Sequence, residues 1–192
     1  MYFDGSKPME SVEYASFISL KGESTMNWTK INFGKHKGKT LPQIIFDDAD
    51  WFFFAYENGY FKNGLAYEAF ELYRKARSIK VPQRNGQRML VEYVIDKPTG
   101  KFGTMNLISD GLCLAHLNVS PVIDFFTPRA YAGYDKTGYK NFVLALKAIL
   151  FGSQSHRMSK QAREEFFNDD RNFKLANAAR TPPSLNDGIQ VF

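Results

Sequence analysis

Apolar residues recur along this chain in two different periods. Leu65, Ala69, Leu72, Ala76 and Ile79 fall at steps of three and four, which is one buried stripe of a helix over Leu65–Ile79. Glu71 and Lys75 form an i,i+4 pair on its exposed side, and Pro82 ends it. Met89, Val91, Tyr93 and Ile95 alternate instead, the period of a strand. Lys97-Pro98-Thr99-Gly100 then puts Pro and Gly where a tight turn with a bulge wants them, so Lys101–Ile108 completes an antiparallel hairpin.

Shorter signals fill in the rest. Thr29–Phe33 reads as a strand, and Leu41–Phe46 as a helical turn with Pro42 at its first position, where the missing N–H costs little. Asp47, Asp48 and Asp50 offer capping carboxylates for a helix over 49–58, closed by Gly59. The run 112–117 fits a strand or a helix equally, whereas Val122–Phe126 is strand-like. A helix over 140–151 is apolar on most sides and so expected to be deeply packed, with Gly152 beyond it, and Ser159 opens a charged helix reaching Asn168. Segregated helices beside a hairpin predict an α+β fold: an antiparallel hairpin or small sheet packed against several helices.

Residues 1–25 are acidic, rich in Ser and Glu and without sustained periodicity, and read as a disordered leader ahead of Met26. We expect one globular domain over 26–176, with 26–62 as a basic-loop and aromatic-helix module inside it, and a flexible tail over 177–192. At 44% hydrophobic and 16% aromatic the chain can build a core and still have rings to spare for an interface. The single cysteine, Cys113, forbids an intrachain disulfide and fits a reducing compartment. No signal segment opens the chain and no apolar run reaches membrane-spanning length, so a soluble, cytoplasmic protein is expected.

Charge narrows the choice of partner. The whole chain is +5 and the first 25 residues are −2, so the remainder is +7. That balance favours a polyanion. The densest basic segment is Phe33-Gly34-Lys35-His36-Lys37-Gly38-Lys39-Thr40. If extended, it sets Lys35, Lys37 and Lys39 on one face at ~6.6 Å spacing, suited to repeated phosphates. A second stretch, Arg74, Lys75, Arg77, Lys80, Arg84 and Arg88, has no acid between Glu71 and Glu92. Helix-dipole stabilisation accounts for its first three members but not for Lys80, Arg84 or Arg88. The candidate phosphate contacts are therefore Lys35, His36, Lys37, Lys39, Arg74, Arg77, Lys80, Arg84 and Arg88. Trp51, Tyr56 and Tyr60 are candidate base-stacking rings.

Catalytic patterns are weaker. Gly34–Thr40 reads G-x-x-x-G-K-T, one residue short of a nucleotide-binding phosphate loop, and Pro42 follows at once. His36, His116 and His156 lack metal-ligand spacing, so no metal or other cofactor is expected. Glu92 and Asp96 with Lys97 or Lys101 only loosely resemble a nuclease core.

Residues 31–61, I-N-F-G-K-H-K-G-K-T-L-P-Q-I followed by D-A-D-W-F-F-F-A-Y-E-N-G-Y-F, resemble a small module at the C-terminus of exodeoxyribonuclease X-like proteins. Stand-alone phage and bacterial proteins, some labelled quorum-sensing-regulated virulence factors, share it. Phe33, Gly34, Lys35, His36, Gly38, Lys39, Leu41 and Trp51 match its pattern. The resemblance implies association with DNA metabolism. The chain has no D-x-E of the exonucleases' metal site, so that activity does not carry over. The expectation is a nucleic-acid-binding accessory protein of a phage or mobile element, with DNA favoured over RNA. The alternatives are an inhibitor that binds a host defence or nucleic-acid-handling protein complex and, third, a metal-dependent nuclease.

Overall fold

The computed structural model describes residues 26–111 and 118–175. The leader, Cys113, the run 112–117 and the tail 177–192 lie outside the described residues. The fold is α+β. Its elements are α1 (Leu41–Glu57), α2 (Gly64–Ala76), β1 (Ile79–Lys80), β2 (Met89–Asp96), β3 (Lys101–Ser109), β4 (Val119–Ser120), β5 (Val122–Ile123), α3 (Thr127–Ala132), α4 (Lys136–Phe151) and α5 (Lys160–Asn168). Among the described residues no helix is long and apolar enough to cross a membrane.

The hairpin forms where the alternation and turn place it. β2 and β3 pair from Met89↔Ser109 to Asp96↔Lys101, with a register shift between Val94 and Ile95. β4 adds to the other edge of β2, giving the antiparallel order β3-β2-β4. Val91, Tyr93, Phe102 and Met105 are buried beneath it. The Phe142 ring of α4 lies 5.6 Å from Phe102 and 4.8 Å from Phe125. On the helical side, Phe46 of α1 meets Phe125 at 5.6 Å and Phe167 of α5 at 6.0 Å, edge to face.

The two pieces expected over 41–46 and 49–58 are one helix interrupted at Asp48 (φ −160°, ψ 65°). Asp48 Oδ1 accepts from Trp51 N–H at 3.4 Å, so it caps the second half as expected. Asp47 and Asp50 are engaged in ion pairs instead.

α2 ends at Ala76, three residues short of the expected Ile79. Ile79, fully buried, pairs with Ile123 in a two-stranded sheet, β1-β5. Ser78 Oγ donates to the Arg74 carbonyl, and Phe125 N–H donates to that of Ala76. A strand partner and satisfied helix-end carbonyls outweigh one more helical turn. Only Val122–Ile123 of the strand-like 122–126 is in a strand.

α4 starts at Lys136 rather than 140, because Asp135 accepts from Gly138 N–H at 2.8 Å and caps it. It is also less enclosed than expected, since Leu144 and Phe151 are exposed. α5 follows Ser159, which accepts from Ala162 N–H at 3.0 Å.

Candidate functional site

The Gly/Lys segment is a closed turn, not an extended strand. Ile31 N–H donates to the Lys39 carbonyl at 2.9 Å, and Gly38 N–H to that of Ile31 at 2.8 Å. Gly34 and Gly38 have φ of +63° and +88°, backbone that glycine adopts without strain. A Cβ at Gly34 would touch the Trp51 indole at 3.4 Å, so it is the backbone conformation that favours glycine there. The lysines therefore do not share a strand face.

Lys35 and Lys39 meet carboxylates of α1. Lys35 Nζ lies 2.6 Å from Asp48 Oδ2, and His36 Nε2 donates to the same oxygen at 2.9 Å. Lys39 Nζ reaches Asp47 Oδ2 at 2.8 Å, and Arg163 of α5 takes the other oxygen at 2.7 Å. Burial pushes both carboxyls up, but hydrogen bonds and charge outweigh it. Lys39 and Arg163 hold Asp47 below its ordinary value, and Lys35 and His36 do the same for Asp48. His36 is buried with its ring 4.8 Å from Trp51, so it positions the loop rather than meeting solvent. Lys35 keeps 57% of its side chain exposed despite its partner. Lys37 is exposed and makes no ion pair among the described residues.

The second basic stretch is largely neutralised. Arg74 pairs with Glu71 at 3.1 Å, displacing the expected Glu71–Lys75 pair. Lys75 turns inward, donating to the Phe167 carbonyl at 2.7 Å and pairing with Asp170 at 2.7 Å. Arg77 is held by Asp124 at 3.2 Å and Tyr73 Oη at 2.7 Å, and Arg88 by Asp110 at 3.3 Å. Only Lys80 and Arg84 of the six are exposed without an ion pair among the described residues. The continuous basic patch expected from spacing is mostly internal bracing.

A cleft of about 300 Å³ opens between α1 and the end of α3. Lys35, Trp51, Phe54, Arg129 and Tyr134 line it, with Asp48 and Asp50 among them. Arg129 builds its wall. Its guanidinium donates to Asp50 Oδ1 at 2.7 Å and grips Glu57 in a two-pronged contact at 2.8 and 3.2 Å. Burial raises the Asp50 carboxyl, and Arg129 only partly offsets this. Beyond α3 a second cleft of about 380 Å³ holds Arg77 and Asp124, already paired with each other.

The candidate stacking rings separate. Trp51 lines the first cleft, fixed by His36 at 4.8 Å and Phe61 at 6.2 Å. Tyr56 is packed face to face on Tyr73 at 4.4 Å and 13°, so its ring serves the contact between α1 and α2. Tyr60 stays exposed, edge-on to Phe54 at 5.6 Å.

Sequence reasoning missed Phe54, Arg129 and Tyr134, and no local pattern marks them. It also missed Lys136, Lys140 and Lys147 on α4, which did leave a signal. They fall at 0, +4 and +11, one helical face, on a helix without a single acid. None forms an ion pair among the described residues. Those residues also hold no group of three His, Cys, Asp or Glu side chains arranged to hold a metal ion. Compared with family models, curated proteins and solved structures, the chain matches none.

Proposed function

We propose that this protein binds nucleic acid at the surface formed by the Gly34–Thr40 loop, α1 and α3. The observation that carries the reading is the cleft in which Lys35 of the loop meets the exposed rings of Phe54 and Tyr134. Accessible aromatic faces suit the bases of a strand, whose phosphates need exposed cations outside the cleft. Two exposed lysines without an ion pair among the described residues lie near its lining residues in sequence: Lys37 on the loop, and Lys136 two residues beyond Tyr134. The resemblance of residues 31–61 to a module of exodeoxyribonuclease X-like proteins supports the same reading, with DNA as the favoured polymer. It also supports an accessory role in a phage or mobile element.

Anisotropy of labelled DNA and RNA across a salt series tests this. Log affinity should fall linearly with log salt, by about 0.7 to 0.9 per phosphate contact. No binding at low salt would reject the reading. A second reading, capture of an acidic host protein, is favoured by Leu144 and Phe151, exposed beside the α4 lysines. A stoichiometric partner that survives nuclease treatment would support it.

A further inference from the structure

We infer that the cleft between α1 and α3 seats a single unpaired nucleobase, and that the protein selects single strands over duplex. This rests on the nucleic-acid reading above.

Charge argues for a base rather than a phosphate. Lys35 and Arg129 line the cleft against Asp48 and Asp50, each cation already bound to one of those carboxylates. With Glu57 also bound to Arg129, two cations face three carboxylates and offer no net attraction for a phosphate, which would also have to approach Asp48 and Asp50. A neutral ring with donors and acceptors on its edge has no such cost. It can offer donors to the carboxylates and acceptors to the cations, while its faces meet the aromatic walls.

Three of the lining residues are aromatic, which suits a flat ring. Trp51 is packed against the buried His36 and against Phe33 and Phe61. Phe54 is 42% exposed and Tyr134 70%, so both present free aromatic surface. At about 300 Å³ the cleft lies at the small end of ligand sites, room for one base and not for a stacked duplex. A paired base would first have to leave its stack at a cost. Phosphates on either side of the seated base would fall to Lys37 and Lys136, which are exposed and form no ion pair among the described residues.

The test uses the full chain and three 20-nucleotide probes of equal length: a mixed-sequence DNA strand, its duplex, and a strand with several abasic positions at its centre. The abasic strand keeps every phosphate and loses the bases. We expect the intact strand to bind at least about ten-fold tighter than either of the others. Tyr134→Ala and Phe54→Ala should each weaken the intact strand by about ten-fold and leave the abasic strand unchanged. Both side chains are exposed, and a retained thermal midpoint checks that the variants fold. In a Trp28→Phe background, Trp51 emission should change on binding the intact strand and not the abasic one. Equal affinity for intact and abasic strands, or Tyr134→Ala and Phe54→Ala without effect while binding persists, would overturn the base seat and leave nucleic-acid binding standing. Failure of all three probes to bind at low salt would overturn both.

Discussion

Lys35 Nζ sits 2.6 Å from the carboxylate of Asp48, the residue at which α1 departs from helical backbone. The break lets one carboxylate serve three groups. One oxygen receives Lys35 and His36, and the other accepts Trp51 N–H. The basic loop, the kink and the indole that floors the cleft are thus one assembly. The loop lysines consequently differ in role: Lys39 braces, Lys35 braces at the cleft mouth, and Lys37 is exposed with no ion pair among the described residues.

Substituting the loop lysines singly should separate those roles. Lys37→Ala should weaken nucleic-acid binding and reduce the salt slope by about 0.7 to 0.9, with stability unchanged. Lys39→Ala should cost about 1 kcal/mol or less of stability, because its pair with Asp47 is partly solvated, and should affect the slope little. Urea titrations beside anisotropy read both. A larger affinity loss from Lys39→Ala than from Lys37→Ala would contradict the assignment.

Acid should loosen this assembly in a defined direction. Asp47 and Asp48 have folded values below the ordinary 3.8, so they bind fewer protons folded than unfolded. Their contribution is complete well above 3.8 and disappears as pH falls through the lowered values. Asp50 is raised and runs the opposite way, since its protonation favours the folded state. The Asp47→Asn, Asp48→Asn double variant should therefore be less stable than wild type at pH 7, with the gap closing toward pH 3. Thermal midpoints from pH 7 to 3 measure it, and a gap independent of pH would count against the ion pairs.

Much of the fold was legible because it depends on local pattern. The alternation from Met89 and the Pro-Gly turn fixed the hairpin, and Ser159 marked the start of α5. Helix ends were harder. Ile79 keeps the helical stripe of α2 yet pairs with Ile123, forty-four positions later, and no local signal carries that contact. The site suffered from the same blindness. The basic loop was visible as composition, but the pairing of Lys35 with Asp48 and of Lys39 with Asp47, a carboxylate shared with Arg163, depends on α1 folding back and on α5 arriving from far along the chain. Arg129 and Tyr134 lie on and just after α3, six residues long and too short to announce itself by periodicity.

Lys75 illustrates how a cation that reads as exposed can be structural. It is buried, donates to the Phe167 carbonyl and lies 5.5 Å from the Phe173 ring. Lys75→Met fills the space but leaves that carbonyl without its donor. Stability should fall by about 1–3 kcal/mol, read by urea unfolding, with nucleic-acid affinity unchanged.

Gly138 is required by the cap of α4. A Cβ there would collide with the Asp135 carboxylate, which is buried and accepts the Gly138 N–H. Gly138→Ala should cost roughly 1–3 kcal/mol, combining a lost cap with overpacking. Because the same turn follows Tyr134, this variant should also blunt single-strand binding at temperatures where it remains folded. Calorimetry and anisotropy on one preparation would show both effects. An unchanged midpoint would mean that Asp135 can turn away without loss.

On the proposed reading, the α4 lysines would set where the rest of a bound strand runs. Of the stretch Arg74–Arg88 only Lys80 and Arg84 are exposed without an ion pair among the described residues, whereas Lys136, Lys140 and Lys147 share one acid-free helical face starting beside Tyr134. Lysine contacts position a backbone without reading bases, so their loss should weaken all sequences alike. Lys136→Ala, Lys140→Ala and Lys147→Ala together should lower the salt slope by about two units and leave the intact-to-abasic affinity ratio unchanged. Replacing Arg74, Arg77 and Arg88 should instead reduce stability more than slope, because each is bound to a carboxylate. If the second set lowered the slope and the first did not, the strand would have to leave the cleft toward α2 rather than along α4.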